Sequence, residues 1–209
     1  LQEAMHGMTL DEHYEVGYKA GVLLKKLHSI SVPDDVKPWD EIFKKKIDRR
    51  LDELQKNNIH SERLDLLADF LRNNEKLLEN RPQSFNHGDF SITNLIFSPD
   101  GQVGVIDFNA FTSIYGDPYW EFCSIPYGHE ADGSYYSGMF DGYFGNCISD
   151  DFFPLLAFYF AYDGIASICE MIGNGDNAVK DAWRHVDNII RWFGNMQVVV
   201  PSWYTNSNL

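Results

Sequence analysis

Apolar residues recur at the spacing of an α-helix through most of the chain, so the sequence predicts a mainly helical fold. The helix predicted over residues 152–172 is nearly all apolar and long enough to suggest a membrane span. Its Asp163 and Glu170 favour a helix buried in the centre of the protein instead, so no membrane partner is expected. The other predicted helices span residues 11–30, 40–55, 61–79 and 135–144, and a last one begins at Asp176.

The helical pattern is interrupted between residues 85 and 121, where two short apolar runs flank a turn. The runs are residues 95–97 and 103–106, and the turn is Ser98-Pro99-Asp100-Gly101. Strand-like runs joined by Pro-Asp-Gly predict a β-hairpin. The predicted fold class is therefore α+β, mainly α-helical, with one small β-hairpin.

Three polar side chains lie around this hairpin. Asn94 comes just before the first strand and Asp107 just after the second, so the returning chain should place them side by side. An amide oxygen and a carboxylate suit Mg²⁺, a hard cation that usually takes substrate phosphates as further ligands. Asp89 lies on the loop in front of them, free to face an acceptor hydroxyl. Because phosphoryl transfer needs mainly positioning and charge neutralisation from the protein, these residues predict a magnesium-dependent phosphotransfer site.

Isolated aspartates in loops are more often turn residues or helix caps than catalytic groups. Asp100 fits a turn position, and Asp117 followed by Pro118 fits an N-cap with proline at the first helical position. The catalytic interpretation is favoured for the ordered set at positions 89, 94 and 107, because several sequence blocks agree on it.

These blocks resemble the aminoglycoside phosphotransferase family, the small-molecule branch of the protein-kinase-like fold. Residues 87–89 with Asn94 resemble its catalytic loop, where His-Gly-Asp replaces the His-Arg-Asp of protein kinases. Residues 105–108 resemble its metal-binding segment, and residues 116–118 resemble its downstream Gly-Asp-Pro element. The resemblance covers nearly all of the chain and implies the C-terminal lobe of the kinase-like fold.

The resemblance also implies roles for particular residues. Asp89 would be the catalytic base, Asn94 and Asp107 would hold Mg²⁺, and His87 and Asp117 would support the catalytic loop. ATP or GTP would be the phosphoryl donor.

Two positions depart from the pattern. Asn109 follows Asp107-Phe108 where a protein kinase has glycine, which weakens any argument for a protein-kinase-style flip of this segment. Glu121 stands where the family commonly has aspartate after Gly-Asp-Pro, and this departure leaves open whether it braces the loop.

A complete kinase of this kind carries an N-terminal lobe with a phosphate-covering loop and a strand lysine. Neither a Gly-rich phosphate loop nor a Val-Ala-Ile-Lys-like strand occurs in the sequence. We therefore expect residues 1–209 to form one C-terminal, catalytic and acceptor-binding lobe. This chain alone should have little or no activity, because the other lobe holds much of the nucleotide site.

Composition narrows the choice of partner and compartment. The chain has 17 basic and 31 acidic residues and a net charge of −14. This balance disfavours nucleic acid, whose phosphates need clustered Lys and Arg, and is compatible with a cationic small molecule. A basic run at residues 44–50 is interpreted as a solvated helix face. Three scattered cysteines, with no zinc spacing or disulfide framework, predict a cytoplasmic protein.

A polar stripe on the apolar helix suggests where the acceptor binds. Asp163, Ser167 and Glu170 share one helix face, which must meet a partner or a water-lined cleft because unpaired buried charge is costly. One hypothesis is that Asp163 and Glu170, helped by the loop acids Glu130 and Asp132, receive an ammonium-bearing acceptor. The alternative is an internal salt bridge of these acids, with Arg184 or Arg191 as candidate partners.

The expected function is transfer of the γ-phosphate of ATP or GTP to a hydroxyl of a small molecule, an aminoglycoside first of all. A choline-like or sugar acceptor is an alternative, because the motifs specify phosphoryl transfer and not the acceptor. A non-catalytic module for a cationic ligand is another, and the intact catalytic set speaks against it. A metal-dependent phosphoesterase would need more His and Asp ligands than this region supplies.

Overall fold

The computed structural model describes residues 5–98, 100–109, 114–145 and 147–204. Within these ranges the fold is mainly α-helical with two small sheets, as the apolar pattern predicts. The helices are α1 (Leu10–His28), α2 (Trp39–Lys56), α3 (Glu62–Asn74), α4 (Gly133–Phe144), α5 (Phe152–Met171) and α6 (Asp176–Trp192). The strands are β1 (Ser84–Phe85), β2 (Leu95–Phe97), β3 (Val103–Val105) and β4 (Tyr115–Gly116).

Local capping chemistry decides where several helices begin. Thr9 and Glu12 form a capping box at the start of α1, and the Ser61 side chain accepts a hydrogen bond at the start of α3. The third predicted helix is too long at its end, because the α-helical turns stop at Asn74 and a 3₁₀ turn continues over Glu75–Leu78. The other predicted helices lie within two residues of their observed bounds.

Helix α5 is the centre of the core. It is long and apolar enough to cross a membrane by length and composition, and 83% of its most apolar window is buried inside the protein. The prediction of a buried central helix is confirmed. It packs against α2, α3 and α6, with an aromatic cluster where the Phe43 ring meets Tyr159 and Tyr162 at centroid distances of 5.1 and 4.7 Å.

Helices α1 and α4 pack with their backbones in near contact. A Cβ added at Gly21 of α1 would lie 2.1 Å from the Met139 carbonyl oxygen, and one at Gly142 of α4 would lie 2.1 Å from that of Tyr18. Only glycine permits this approach. The close contact brings the C-terminal end of α1 beside the C-terminal end of α4, where His28 lies 2.8 Å from the Tyr143 hydroxyl.

Two strand pairs hold the segment between α3 and α4. Strands β2 and β3 form the predicted hairpin, with Leu95 opposite Val105; Pro99 of the predicted turn lies outside the described residues. Strands β1 and β4 form a second antiparallel pair that the sequence pattern did not reveal, with Ser84 opposite Gly116. Because β1 precedes the loop and β4 follows the hairpin, the two pairs hold both ends of the site segment.

Candidate active site

The loop at residues 87–94 joins β1 to β2, and backbone hydrogen bonds tie it to the segment after β3. The Ile106 amide donates to the Asn94 carbonyl at 3.0 Å, and the Asn109 amide donates to the His87 carbonyl at 3.0 Å. The hairpin therefore brings Asn94 next to the segment that carries Asp107. Asp107 itself has a φ of 65°, a left-handed conformation that is uncommon outside glycine and turns the chain sharply there.

Asp89 and Asn94 are in direct contact. The Asn94 amide nitrogen donates to the Asp89 carbonyl at 3.0 Å and to the Asp89 carboxylate at 2.9 Å. Both bonds use the nitrogen, so the Asn94 side-chain oxygen is left for another partner. Partial desolvation raises the pKa of the Asp89 carboxyl above its usual value, and the hydrogen bond from Asn94 opposes this rise.

His87 lies buried beneath the loop with both ring nitrogens occupied. Its Nε2 lies 2.9 Å from the Ile106 carbonyl, which can only accept, and its Nδ1 lies 3.3 Å from the Asp89 amide, which can only donate. These contacts place the ring proton on Nε2. The ring also packs on Phe108 at a centroid distance of 4.5 Å. This geometry supports the predicted bracing role and leaves no ring nitrogen for proton transfer to a substrate.

Glu121 is the side chain that fixes the start of the loop. Its carboxylate is buried and accepts hydrogen bonds from the amides of His87 at 2.6 Å and Gly88 at 2.7 Å. Gly88 has a φ of 87°, so the loop turns sharply at the residue that Glu121 holds. The sequence singled out Glu121 as a departure from the family pattern and left its bracing role open, and these two hydrogen bonds support that role. Its position four residues after a capped Asp-Pro start was the signal available.

Asp117 supports the same region from a deeper layer. Its buried side chain pairs with Arg81, accepts from the Tyr159 hydroxyl at 2.8 Å and caps the 3₁₀ turn Pro118–Cys123 through the Tyr119 amide at 2.8 Å. The predicted cap with proline at the first position is confirmed. Asp117 also contacts the residue just before the loop through its backbone, since the Asp117 carbonyl accepts from the Asn86 side chain at 3.4 Å.

A cavity of about 360 Å³ opens beside Asp89. Asp163 and Glu170 of α5 line the same cavity, as the polar stripe suggests, whereas Ser167 is fully buried and bonded to the Gly164 carbonyl within the helix. The cavity walls combine polar and apolar groups, and besides the carboxylates the polar ones include Ser91, Thr93, Ser124 and Tyr127. Three carboxylates, those of Asp89, Asp163 and Glu170, therefore line one cavity together with hydroxyl groups.

The two cavity acids have different partners within the protein, as the salt-bridge alternative expects, but both candidate partners, Arg184 and Arg191, are wrong. Glu170 pairs with Arg50 of α2 and accepts from the Tyr127 hydroxyl at 2.8 Å. Asp163 accepts from Nε2 of the fully buried His185 at 2.7 Å. Arg184 pairs instead with Asp181, and Arg191 pairs with Glu130. Sequence spacing within α5 and α6 could not reveal these pairings, because tertiary packing of α2, α5 and α6 decides them. Arg50 also departs from the solvated face predicted for the basic run.

The loop acids Glu130 and Asp132 do not join this cavity. They line a second cavity of about 320 Å³, which shares only the Ile125–Pro126 wall with the first. Asp132 caps α4 through the Tyr135 amide at 3.0 Å and contacts His13 at 2.5 Å. Their grouping with the acids of α5 is therefore corrected, because the loop carries them to the far side of residues 125–126.

The residues around Asp107 fit a magnesium ion held mainly by substrate. No group of three or more His, Cys, Asp or Glu side chains could hold a metal within the described ranges. Mg²⁺ is commonly bound through one or two protein carboxylates or amides together with phosphates and water. The free Asn94 oxygen and the exposed Asp107 carboxylate are a donor set of that kind.

Comparison with known proteins decides the family. A model of the phosphotransferase enzyme family matches residues 1–155. The chain belongs to this phosphotransferase family. The predicted kinase-like fold class and the predicted enzyme class, a phosphotransferase acting on a hydroxyl group, are confirmed. No curated protein matches the sequence.

Solved structures share the fold of this phosphotransferase-family chain. A gentamicin complex of APH(2'')-IIa is 19% identical with a TM-score of 0.62, and the match covers 94% of this chain and 68% of that one. An ADP-bound aminoglycoside phosphotransferase, APH(2'')-Ib, is 20% identical with a TM-score of 0.57, covering 89% and 67%. An ethanolamine kinase from Plasmodium vivax is 14% identical with a TM-score of 0.54, covering 87% and 61%.

Proposed function

We propose that this chain transfers the γ-phosphate of ATP or GTP to a hydroxyl of a small, amine-bearing molecule, with an aminoglycoside as the first candidate. The observation that carries the proposal is the cavity that joins Asp89, held by Asn94, to Asp163 and Glu170. The proposed proton acceptor Asp89 and the negative charge of Asp163 and Glu170 line the same cavity, which supports an acceptor that carries both a hydroxyl and an amine.

Asp89 would orient the acceptor hydroxyl and take its proton as the new oxygen–phosphorus bond forms, while the bond from the γ-phosphorus to the β–γ bridging oxygen breaks and the nucleoside diphosphate leaves. The hydrogen bond from Asn94 and the brace formed by His87 and Glu121 hold its loop in one position. Asn94 and Asp107 would hold Mg²⁺, which when bound neutralises phosphate charge and orients the phosphates. These roles require no movement of the base itself.

The nucleotide would lie on the other side of the hairpin. Ile96, Ile106 and Phe108 are 48%, 48% and 49% exposed next to the proposed metal residues. An exposed apolar surface beside phosphate-binding groups suits a nucleobase, which needs a flat apolar contact. An N-terminal lobe outside these 209 residues would cover the nucleotide, and such a protein would work in the cytoplasm.

Asp163 is the better ammonium receptor of the two cavity acids. Glu170 is paired with the cation Arg50, so its charge is compensated. The partner of Asp163 is His185, whose buried Nδ1 has no hydrogen-bond partner among the described residues. A proton on that nitrogen would be an unsatisfied buried donor, which favours a neutral ring with its proton on Nε2. Asp163 therefore keeps a net negative charge that can face the cavity.

The size of the acceptor separates two classes. A small amino alcohol of the ethanolamine or choline type would fit within the 360 Å³ cavity alone. A three-ring aminoglycoside would extend past Ile125 and Pro126 into the second cavity, toward Glu130 and Asp132. The fold that the chain shares with the gentamicin complex of APH(2'')-IIa supports the larger acceptor.

Calorimetric titration of this chain without nucleotide tests the acceptor class. Kanamycin, choline and the neutral sugar alcohol sorbitol would be titrated into the wild-type chain and into the Glu130→Gln variant. We expect saturable kanamycin binding that Glu130→Gln weakens, and no sorbitol binding. Choline binding that Glu130→Gln leaves unchanged, without kanamycin binding, would instead favour a small amino alcohol. Equal binding of sorbitol would contradict recognition by charge.

A further inference from the structure

The buried carboxylate of Glu121 has one further neighbour besides the two loop amides. His28, near the C-terminal end of α1, places its Nε2 atom 3.8 Å from Glu121 Oε2. The two side chains are only 4% and 1% exposed. This distance is longer than a hydrogen bond, so the contact is an electrostatic attraction. Such an attraction is stronger in a buried site than in water.

A hydrogen bond on the other side of the ring orients His28. Its Nδ1 lies 2.8 Å from the Tyr143 hydroxyl of α4, and the two rings meet edge to face at 5.4 Å. Burial raises the pKa of the Tyr143 hydroxyl, so this group keeps its proton and can donate it to Nδ1. The ring proton is then on Nε2, which has no hydrogen-bond partner in the described part of the chain.

The buried Glu121 charge needs this neighbour. Each carboxylate oxygen accepts one loop amide, and a buried carboxylate with only two neutral donors is still costly to desolvate. An N–H that lies 3.8 Å from Oε2 lowers that cost and disfavours rotation of the carboxylate away from it. Any rotation would move the two amides of residues 87 and 88, and Asp89 is the next residue.

We propose that His28 is a positioning residue of the phosphotransfer site, which acts on Asp89 through Glu121 and the amides of His87 and Gly88. The contact joins α1 to the catalytic loop, and the glycine-mediated packing of α1 on α4 fixes its geometry. The effect on catalysis rests on the proposed function, but the effect on the loop does not.

Two substitutions separate positioning from packing. In His28→Gln the side-chain amide reaches the place of Nε2 and can still donate toward Glu121. In His28→Asn the shorter amide reaches only the place of Nδ1, so the contact with Tyr143 is kept and that with Glu121 is lost. The two variants carry the same polar group. His28→Gln keeps the contact with Glu121, and His28→Asn keeps the contact with Tyr143.

Amide hydrogen exchange in this chain, followed by NMR, gives the first readout. We expect His28→Asn to speed exchange of the His87 and Gly88 amides about tenfold relative to amides of α5, as loss of a charge-linked contact would. His28→Gln should stay near the wild-type rate. Equal rates in the two variants, or an increase that α5 amides share, would make His28 a packing residue and overturn the proposal.

A measurement on the wild-type chain covers the case in which neither variant folds. Long-range proton–nitrogen NMR spectra of the imidazole groups should place the His28 ring proton on Nε2. A proton on Nδ1 alone would leave nothing to attract Glu121 and would overturn the proposal.

Turnover in the full-length protein gives the second readout. His28→Asn should lower kcat about tenfold, with the KM values for acceptor and nucleotide unchanged, and His28→Gln should restore most of it. Unchanged kcat in His28→Asn would overturn the claim that His28 influences phosphoryl transfer through the position of Asp89. If the wild-type protein transfers no phosphate while the exchange result holds, the proposed function fails and the loop contact stands.

Discussion

The carboxylates at the base of the catalytic loop and those around the cavity differ in how their charge is compensated. Asp117 and Glu121 are buried, and their oxygens are held by Arg81, hydroxyl and backbone donors. Asp89 and Asp163 face the cavity and have neutral partners, an amide and an imidazole. The comparison teaches that the charge of the two supporting carboxylates is satisfied, whereas that of Asp89 and Asp163 is left available for the base and amine-binding roles proposed for them.

The largest effect on turnover should come from replacing Asp89, the proposed catalytic base. Asp89→Asn keeps the shape of the side chain and removes the proton acceptor, so kcat of the full-length protein should fall about 10²- to 10⁴-fold. Acceptor binding measured by calorimetry should change little. Asp100→Asn in the exposed turn is the matched control and should leave kcat unchanged. Comparable turnover in Asp89→Asn would remove Asp89 from the catalytic role.

Replacing the supporting carboxylate Asp117 should lower the stability of the fold and leave acceptor binding largely unchanged. Asp117→Asn leaves Arg81 and Tyr159 with a neutral partner in a buried site, and we expect a loss of about 3–5 kcal/mol in the free energy of unfolding. Urea denaturation of this chain measures it. Asp181→Asn, which breaks the exposed pair with Arg184, should cost no more than about 1 kcal/mol. Similar losses of unfolding free energy in Asp117→Asn and Asp181→Asn would show that burial does not make the Asp117 carboxylate more important for stability.

Asp163 should govern affinity for an amine. Asp163→Asn removes the uncompensated charge, and the KM for a cationic acceptor should rise about 10- to 100-fold with a smaller change in kcat. The control is Glu170→Gln, whose charge Arg50 already compensates, and it should raise this KM less. A larger effect from Glu170→Gln than from Asp163→Asn would reverse the assignment.

The pH dependence should show the smallest effect. Desolvation raises the pKa of Asp89, and the residue must be ionised to accept a proton. The acidic limb of kcat/KM should therefore lie above the ordinary aspartate value of about 3.9, with activity lost as pH falls through it. A pH–rate profile of the full-length protein measures the limb. A limb at or below the ordinary value would show that the partners of Asp89 outweigh desolvation.

The sequence was most informative where function depends on local chain geometry. The hairpin, the order of Asp89, Asn94 and Asp107, and the cap at Asp117-Pro118 follow from turn chemistry and short spacing, and the structure reproduces their arrangement. The roles of these residues in catalysis and metal binding remain predictions.

Contacts between distant elements could not be read from spacing. Glu121 reaches back 34 residues to His87, Arg50 reaches Glu170 across 120 residues, and His185 reaches Asp163 from the next helix. Each depends on how helices pack and not on a local pattern. The short β1–β4 pair was not predicted either, because strands of two residues are too short to show an alternating pattern.

The most direct test of the central claim is ³¹P NMR of the full-length protein with ATP, Mg²⁺ and kanamycin. The account predicts a new phosphate-ester signal on kanamycin that matches the ADP formed, and its absence in Asp89→Asn. Nucleotide consumption that yields only inorganic phosphate, with kanamycin and with choline, would contradict transfer to an acceptor held beside Asp89.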